Sequence, residues 1–123
     1  MRLEDIRFKA KRLDNKQWVE GDLLHSYEGG AIIVPITEEG EHGGAFSVDP
    51  STVCQFTGAK DANGAELYEH DIIHFKGHKP KAVIKWVGDA YAFMVEYDGN
   101  LSYLDTVLGI GKVIKVGNVF DKM

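Results

Sequence analysis

Three histidines, His70, His74 and His78, recur every fourth residue beside Glu69 and Asp71. On a helix this spacing stacks imidazoles one turn apart, as zinc sites require. The residues between them, Ile72 and Ile73, read instead as a strand. Positions four apart on a strand are separated by about 13 Å, too far for one ion. Only a tight fold at Lys76-Gly77-His78 would bring two of these imidazoles together, so surface histidines and no metal site are expected. Asp61-Ala62-Asn63-Gly64 begins like a calcium loop, but Ala65 and Glu66 stand where a third oxygen ligand and a glycine are needed. Turn chemistry is the better reading. Gly109-Ile110-Gly111-Lys112 is followed by Val113 rather than Ser or Thr, and no helix after it would aim amides at a phosphate. Cys54, the single cysteine, sits among apolar residues with no neighbouring base, so a packed thiol is expected rather than a nucleophile. Spacing alone proposes no Ser/His/Asp arrangement. Glu66, Glu69 and Asp71 read as a solvated turn rather than an acid/base pair. No catalytic residue and no cofactor are expected.

Binding is the remaining chemistry. The formal charge of −5 argues against a dedicated polyanion binder, but the charge is unevenly laid out. Residues 17–59 carry no Lys or Arg, and basic stretches flank them at Arg7–Lys16 and His74–Lys85. Lys76, Lys79, Lys81 and Lys85 are the one credible seat for a polyanion, with Tyr97 and Tyr103 as the exposed aromatics that could stack beside it. Trp86 and Tyr91 are expected to fill the interior. A solvated lysine-rich loop is the plainer reading, so nucleic acid is possible but not favoured.

Strands must position these residues. Ile6, Phe8 and Ala10 alternate with Arg7, Lys9 and Lys11, the period of a half-buried strand. A two-residue turn at Asp14-Asn15 would pair Ala10 with Val19, Phe8 with Gly21 and Ile6 with Leu23. On the other face it sets Lys9 against Glu20 and Arg7 against Asp22, worth roughly 0.2–1 kcal/mol each and making that basic stripe structural. Gly88-Asp89 as a second two-residue turn would pair Trp86 with Tyr91, Ile84 with Phe93 and Ala82 with Val95. Lys81 would then meet Glu96, and Val83 would meet Met94. Short strands are also read at Ala31–Ile36, Ala45–Val48, Thr52–Thr57, Ile72–Phe75 and Val113–Phe120, the last interrupted by Gly117. Thr37–Gly44 reads as an exposed loop, and Asp98-Gly99-Asn100 as a turn. Helix is confined to a weak case around Tyr103–Leu108. The chain is mainly β and should close on itself or fold over to avoid open edges.

The 123 residues amount to one ordinary domain, with 44% apolar and 27% charged residues marking a globular chain. One cysteine excludes an internal disulfide framework and points to a reducing, cytosolic setting. The charged start lacks a signal peptide's apolar run, and no apolar run approaches the ~20 residues that span a bilayer.

The densest unusual stretch runs from Gln55-Phe56-Thr57-Gly58 through Asp61, Asn63 and Gly64 to Leu67-Tyr68-Glu69 and Asp71-Ile72. That pattern resembles the hallmark of the YopX family, small proteins encoded mainly by bacteriophages and prophages. Ile6–Ala10, Val48–Val53 and Val116–Phe120 are similar too, so the resemblance covers nearly the whole chain. It implies a small barrel of the Src-homology-3-like type over residues 58–123, with strands of residues 1–57 packed beside it as one compact unit. It implies no reaction. The role expected is a non-catalytic accessory or protein-interaction module in the cytoplasm of a bacterial host, with an unknown protein partner, a possible homo-oligomer and no membrane. The alternative is a weak nucleic-acid binder using residues 74–85. The family usually has glycine where this chain has His70, so that turn must tolerate a side chain here.

Overall fold

A computed structural model describes residues 2–36, 43–75 and 82–122. By its internal contacts the chain divides into two compact units, Met1–Phe56 and Thr57–Met123. The fold is mainly β. Eleven strands lie in two antiparallel sheets with one short α-helix among the described residues. They are β1 Phe8–Lys11, β2 Trp18–His25, β3 Ala31–Val34, β4 Phe46–Val48, β5 Cys54–Lys60, β6 Glu66–Tyr68, β7 Asp71–Phe75, β8 Ala82–Val87, β9 Ala92–Tyr97, β10 Asn100–Tyr103 and β11 Val113–Asn118. Helix α1 spans Leu104–Ile110. The six-stranded sheet has the order β4-β3-β2-β1-β5-β6, and the division between the units falls within β5. The five-stranded sheet has the order β10-β9-β8-β7-β11. Neither sheet closes on itself among the described residues, so the closed barrel expected from the sequence is not found.

In the first unit β1 pairs with β2 as Phe8↔Gly21, Lys9↔Glu20 and Ala10↔Val19, the register read from the sequence. The loop is wider than two residues. Arg12 and Gln17 close it, and Lys16 takes a φ of +59°. A four-residue loop centred on Asp14-Asn15 leaves the pairing unchanged, which is why the register survives. The Arg7 guanidinium reaches Glu20 at 3.0 Å, two residues along the strand from the Asp22 expected opposite it. Lys9 and Lys11 instead place their ammonium groups 4.5 and 4.9 Å from the Trp18 ring. Gly21 is needed for close approach, since a Cβ there would lie 2.3 Å from the Val34 carbonyl oxygen. Ala10, Ile33 and Val48 form the buried cluster of this unit. Cys54 is fully buried, as a packed thiol should be, and donates to the Thr52 carbonyl at 3.3 Å.

In the second unit Leu67, Ile73, Ile84, Val95, Leu104, Val107 and Val113 are among the buried core residues. The β8–β9 hairpin corrects the sequence reading. Its register is Ile84↔Val95, Lys85↔Met94 and Trp86↔Phe93, shifted by two positions because the loop holds four residues, Gly88–Tyr91. Tyr91 absorbs the reversal with a φ of +50°. An even shift keeps every side chain on its expected face. It also moves Trp86 and Tyr91 to the end of the sheet, where they are 48% and 86% exposed instead of filling the interior. The β9–β10 hairpin has a true two-residue turn, with Asp98 and Gly99 both at positive φ as a type I′ turn demands. The weakly indicated helix at 103–108 exists as α1, and β11 carries a bulge between Lys115 and Gly117. The loop expected over residues 37–44 lies outside the described residues except for Gly43 and Gly44.

Candidate functional site

The stretch from Gln55 to Asp71 is the natural place to look for chemistry, and its polar groups are bound to backbone. Asp61 is 8% exposed and accepts from the amides of Asn63 and Ala65 through one oxygen, both at 2.8 Å. Its other oxygen accepts from the Lys115 amide at 2.9 Å, which ties this turn to strand β11. Burial raises the Asp61 carboxyl, but the amides of Lys115, Ala65 and Asn63, with the Lys115 charge, outweigh it and hold the group below its ordinary value. Gly64 supplies the positive φ of the turn. Asp61 therefore caps a reversal, as the sequence indicated, and its oxygens are occupied.

Asp71 is not the solvated turn acid expected from the sequence. It is fully buried and gathers three donors: the Tyr68 amide at 2.7 Å, the Asn118 side-chain amide at 2.9 Å and the Lys115 ammonium at 3.1 Å. Asn118 also donates to the Glu69 carbonyl and accepts from the Phe120 amide. Strands β6, β7 and β11 are thus pinned at one polar knot. His70 sits inside the turn at a φ of +70°, the left-handed region that glycine enters without cost. Its backbone bonds Ile84 and Val119, and its ring meets Phe120 edge-on at 5.0 Å. Thr57 donates to the Leu67 carbonyl at 2.7 Å and accepts from the Ala59 amide, spanning the positive-φ Gly58. Phe56 is buried under the Arg7 guanidinium, 4.2 Å from its ring centre. Gln55 pairs with Phe8 in the sheet. Asn63 contributes its amide, Tyr68 is buried, and Glu69 lies 3.9 Å from the His70 imidazole.

Of the proposed binding residues, only Lys85 and Tyr97 fall among the described residues. Lys76, Lys79 and Lys81 lie outside the described residues, as does His78. Lys85 is bonded to Glu96 at 3.0 Å, the partner that the sequence register had given to Lys81. Tyr97 is partly buried against the core, with its hydroxyl 2.9 Å from Ser102 Oγ. Strand alternation places Lys85 and Tyr97 on opposite faces of the sheet. His70 is half-buried and His74 exposed, and no group of three metal-binding side chains is found among the described residues.

A different feature is concave. The second unit carries a groove of about 300 Å³ between the Thr57–Ala59 segment, the start of β9 and helix α1. Ala59, Ala92, Phe93, Leu104 and Leu108 make it apolar, with Tyr103 and Asp105 also lining it. Tyr103 is 52% exposed. Trp86 continues the aromatic surface, its ring edge-on to Phe93 at 5.1 Å. The sequence reading missed this groove because α1 is too short to show a helical period. The pairing of Tyr103 with Asp105 at a strand-to-helix junction was the available signal.

The features so far define a class: a mainly β protein of two antiparallel sheets whose turns are pinned by buried carboxylates. A family model described as YopX protein matches residues 7–122. The chain belongs to that family. No curated protein and no solved structure matches it. Among the described residues no helix is long and apolar enough to cross a membrane.

Proposed function

We propose that the chain is a non-catalytic interaction module of bacteriophage or prophage origin, acting through protein contacts in the cytoplasm of a bacterial host. One observation carries this reading. The buried acids near the densest motif, Asp61 and Asp71, spend their oxygens on framework bonds, while the groove of the same unit is apolar. A surface of that kind suits contact with another protein. The order β10-β9-β8-β7-β11, with α1 between β10 and β11, supports reading the second unit as a small barrel of the Src-homology-3-like type. The end strand β10, Asn100-Leu101-Ser102-Tyr103, carries neither charge nor proline, and this supports self-assembly through an unprotected edge. Nucleic-acid binding through residues 74–85 has less support, because Lys85 is already paired with Glu96.

The test is affinity capture with chemical crosslinking from a lysogenic host, alongside light scattering for mass. Reproducible protein crosslinks to the 57–123 unit support the reading. Absence of any crosslinked protein, together with retention on DNA or RNA that fades as salt rises, overturns it in favour of nucleic acid.

A further inference from the structure

The chain has four asparagines, Asn15, Asn63, Asn100 and Asn118, and Asn63 is the one followed by glycine. The next residue decides how readily the backbone can attack an asparagine side chain, because the attacking atom is its amide nitrogen. Lysine, leucine and valine crowd that nitrogen after Asn15, Asn100 and Asn118. Gly64 has no side chain, and nothing lies within 4 Å of the place its Cβ would take. Asn63 is exposed, and no hydrogen bond holds its side-chain amide among the described residues.

We propose that Asn63 is a site of self-modification, deamidation through a cyclic imide, and that the Asp61 turn sets its rate. Hydroxide removes the Gly64 amide proton, and the nitrogen attacks Asn63 Cγ. A new N–C bond forms, the bond from Cγ to Nδ2 breaks, and the side-chain nitrogen leaves as ammonia. Water then opens the imide at either carbonyl, giving aspartate or isoaspartate. Nothing is oxidised or reduced, and water is the co-reactant.

The turn restrains the nucleophile and leaves the electrophile free. The Gly64 amide donates to the Asp61 carbonyl at 3.0 Å, and this bond must open before the nitrogen can attack. The Asp61 carboxylate holds the same loop through the Asn63 and Ala65 amides, both at 2.8 Å. Its negative charge also disfavours the amide anion that forms two residues away.

The product acts on the same anchor. Either opening leaves a carboxylate at position 63, whose own amide is bonded to the Asp61 carboxylate, so like charges meet. Isoaspartate also adds one atom to the main chain inside the turn, and the bonds from Gly64 and Ala65 no longer fit together. Asp61 accepts from the Lys115 amide at 2.9 Å through its other oxygen, and the Ala62 amide donates to the Val113 carbonyl at 2.9 Å. Modification at Asn63 therefore loosens the hold of this turn on β11.

The full chain is incubated at about pH 8, and its peptides are read by mass spectrometry with electron-transfer fragmentation, which separates isoaspartate from aspartate. Conversion should build up at Asn63 ahead of the other three asparagines and give both products. A free peptide of residues 58–69 should convert about tenfold faster or more, since it has no turn to open. Asp61→Ser should bring the folded chain to within about threefold of the peptide. The peptide comparison uses the wild-type chain and decides the matter even where Asp61→Ser fails to fold. Amide exchange in the purified isoaspartate form should quicken at Ala65 and Lys115 and stay unchanged at Ile33. An intact Asn63 once the peptide has fully converted, equal rates in peptide and chain, an Asp61→Ser rate no higher than the wild type's, or unchanged exchange at Lys115 overturns the proposal.

Discussion

Replacing Asp71 by asparagine tests the claim that this carboxylate is the fastening of the second unit. Its two oxygens meet three donors: the Tyr68 amide, the Asn118 side-chain amide and the Lys115 ammonium. Asparagine has the same shape but offers one oxygen and a donating amide. At least one existing donor must then face another donor. Losing a charge-assisted hydrogen bond costs about 1.5–3 kcal/mol, and a stranded buried donor adds about 1–3 kcal/mol. Lys115 also loses its counter-charge, but its side chain is 24% exposed and water recovers part of that. Asp71→Asn should therefore destabilise by about 3–5 kcal/mol. For a domain stable by about 5–15 kcal/mol that is a large fraction.

Lys115→Met is the milder change, about 2 kcal/mol, because Asp71 keeps two donors. In the double variant the new amide has no cation to oppose it, and the Glu66 carbonyl that Lys115 had occupied is released as an acceptor. The double variant should thus be at least about 1 kcal/mol better than the sum of the singles. Urea unfolding followed by Trp86 fluorescence in a Trp18→Phe background reports on the second unit. With a slope of about 1–3 kcal/mol/M, the Asp71→Asn midpoint should fall by about 2 M. A loss under about 1 kcal/mol, or strict additivity in the cycle, refutes the claim that the three donors share one carboxylate.

Three further outcomes follow from the same structure. Gly21→Ala should destabilise by about 3 kcal/mol or more in thermal melts, because its Cβ would lie 2.3 Å from the Val34 carbonyl oxygen and backbone must move. At His70 the φ of +70° favours glycine, so His70→Gly should be about 1 kcal/mol more stable than His70→Ala, both lacking the edge contact to Phe120. If the alanine variant is the more stable, the left-handed strain is not real. Asp61 has a folded value below that of an ordinary aspartate, so its contribution is complete above about pH 4 and is lost as pH falls through the lowered value. Denaturation midpoints measured from pH 6 to pH 2 should fall steeply for the wild type at the acid end and less so for Asp61→Asn; parallel curves would sink the assignment.

What the sequence could reveal was parity, and what it hid was distance. Alternation along β1 and β8 assigned every side chain to a face correctly, because a pleated strand has a period of two whatever its turn does. The first register came out right although its loop holds four residues, since the loop is centred on the same pair. The second slipped by two because Tyr91 takes a positive φ, and tyrosine gives no advance notice of that. Alternation also says which face a ring occupies but not whether anything covers the end of the sheet, so Trp86 and Tyr91 were placed inside when they are exposed. The Asp61 turn was readable because two of its partners, Asn63 and Ala65, are local. The Asp71 knot was not, since its decisive partners Lys115 and Asn118 lie more than forty residues away, and an acid next to a turn looks solvated until strand β11 returns beside it. The groove belongs to the same class of hidden object. Thr57–Ala59, Phe93 and Leu104–Leu108 come from three separate stretches, and only the path of the chain through both sheets brings an apolar floor beneath a lone carboxylate.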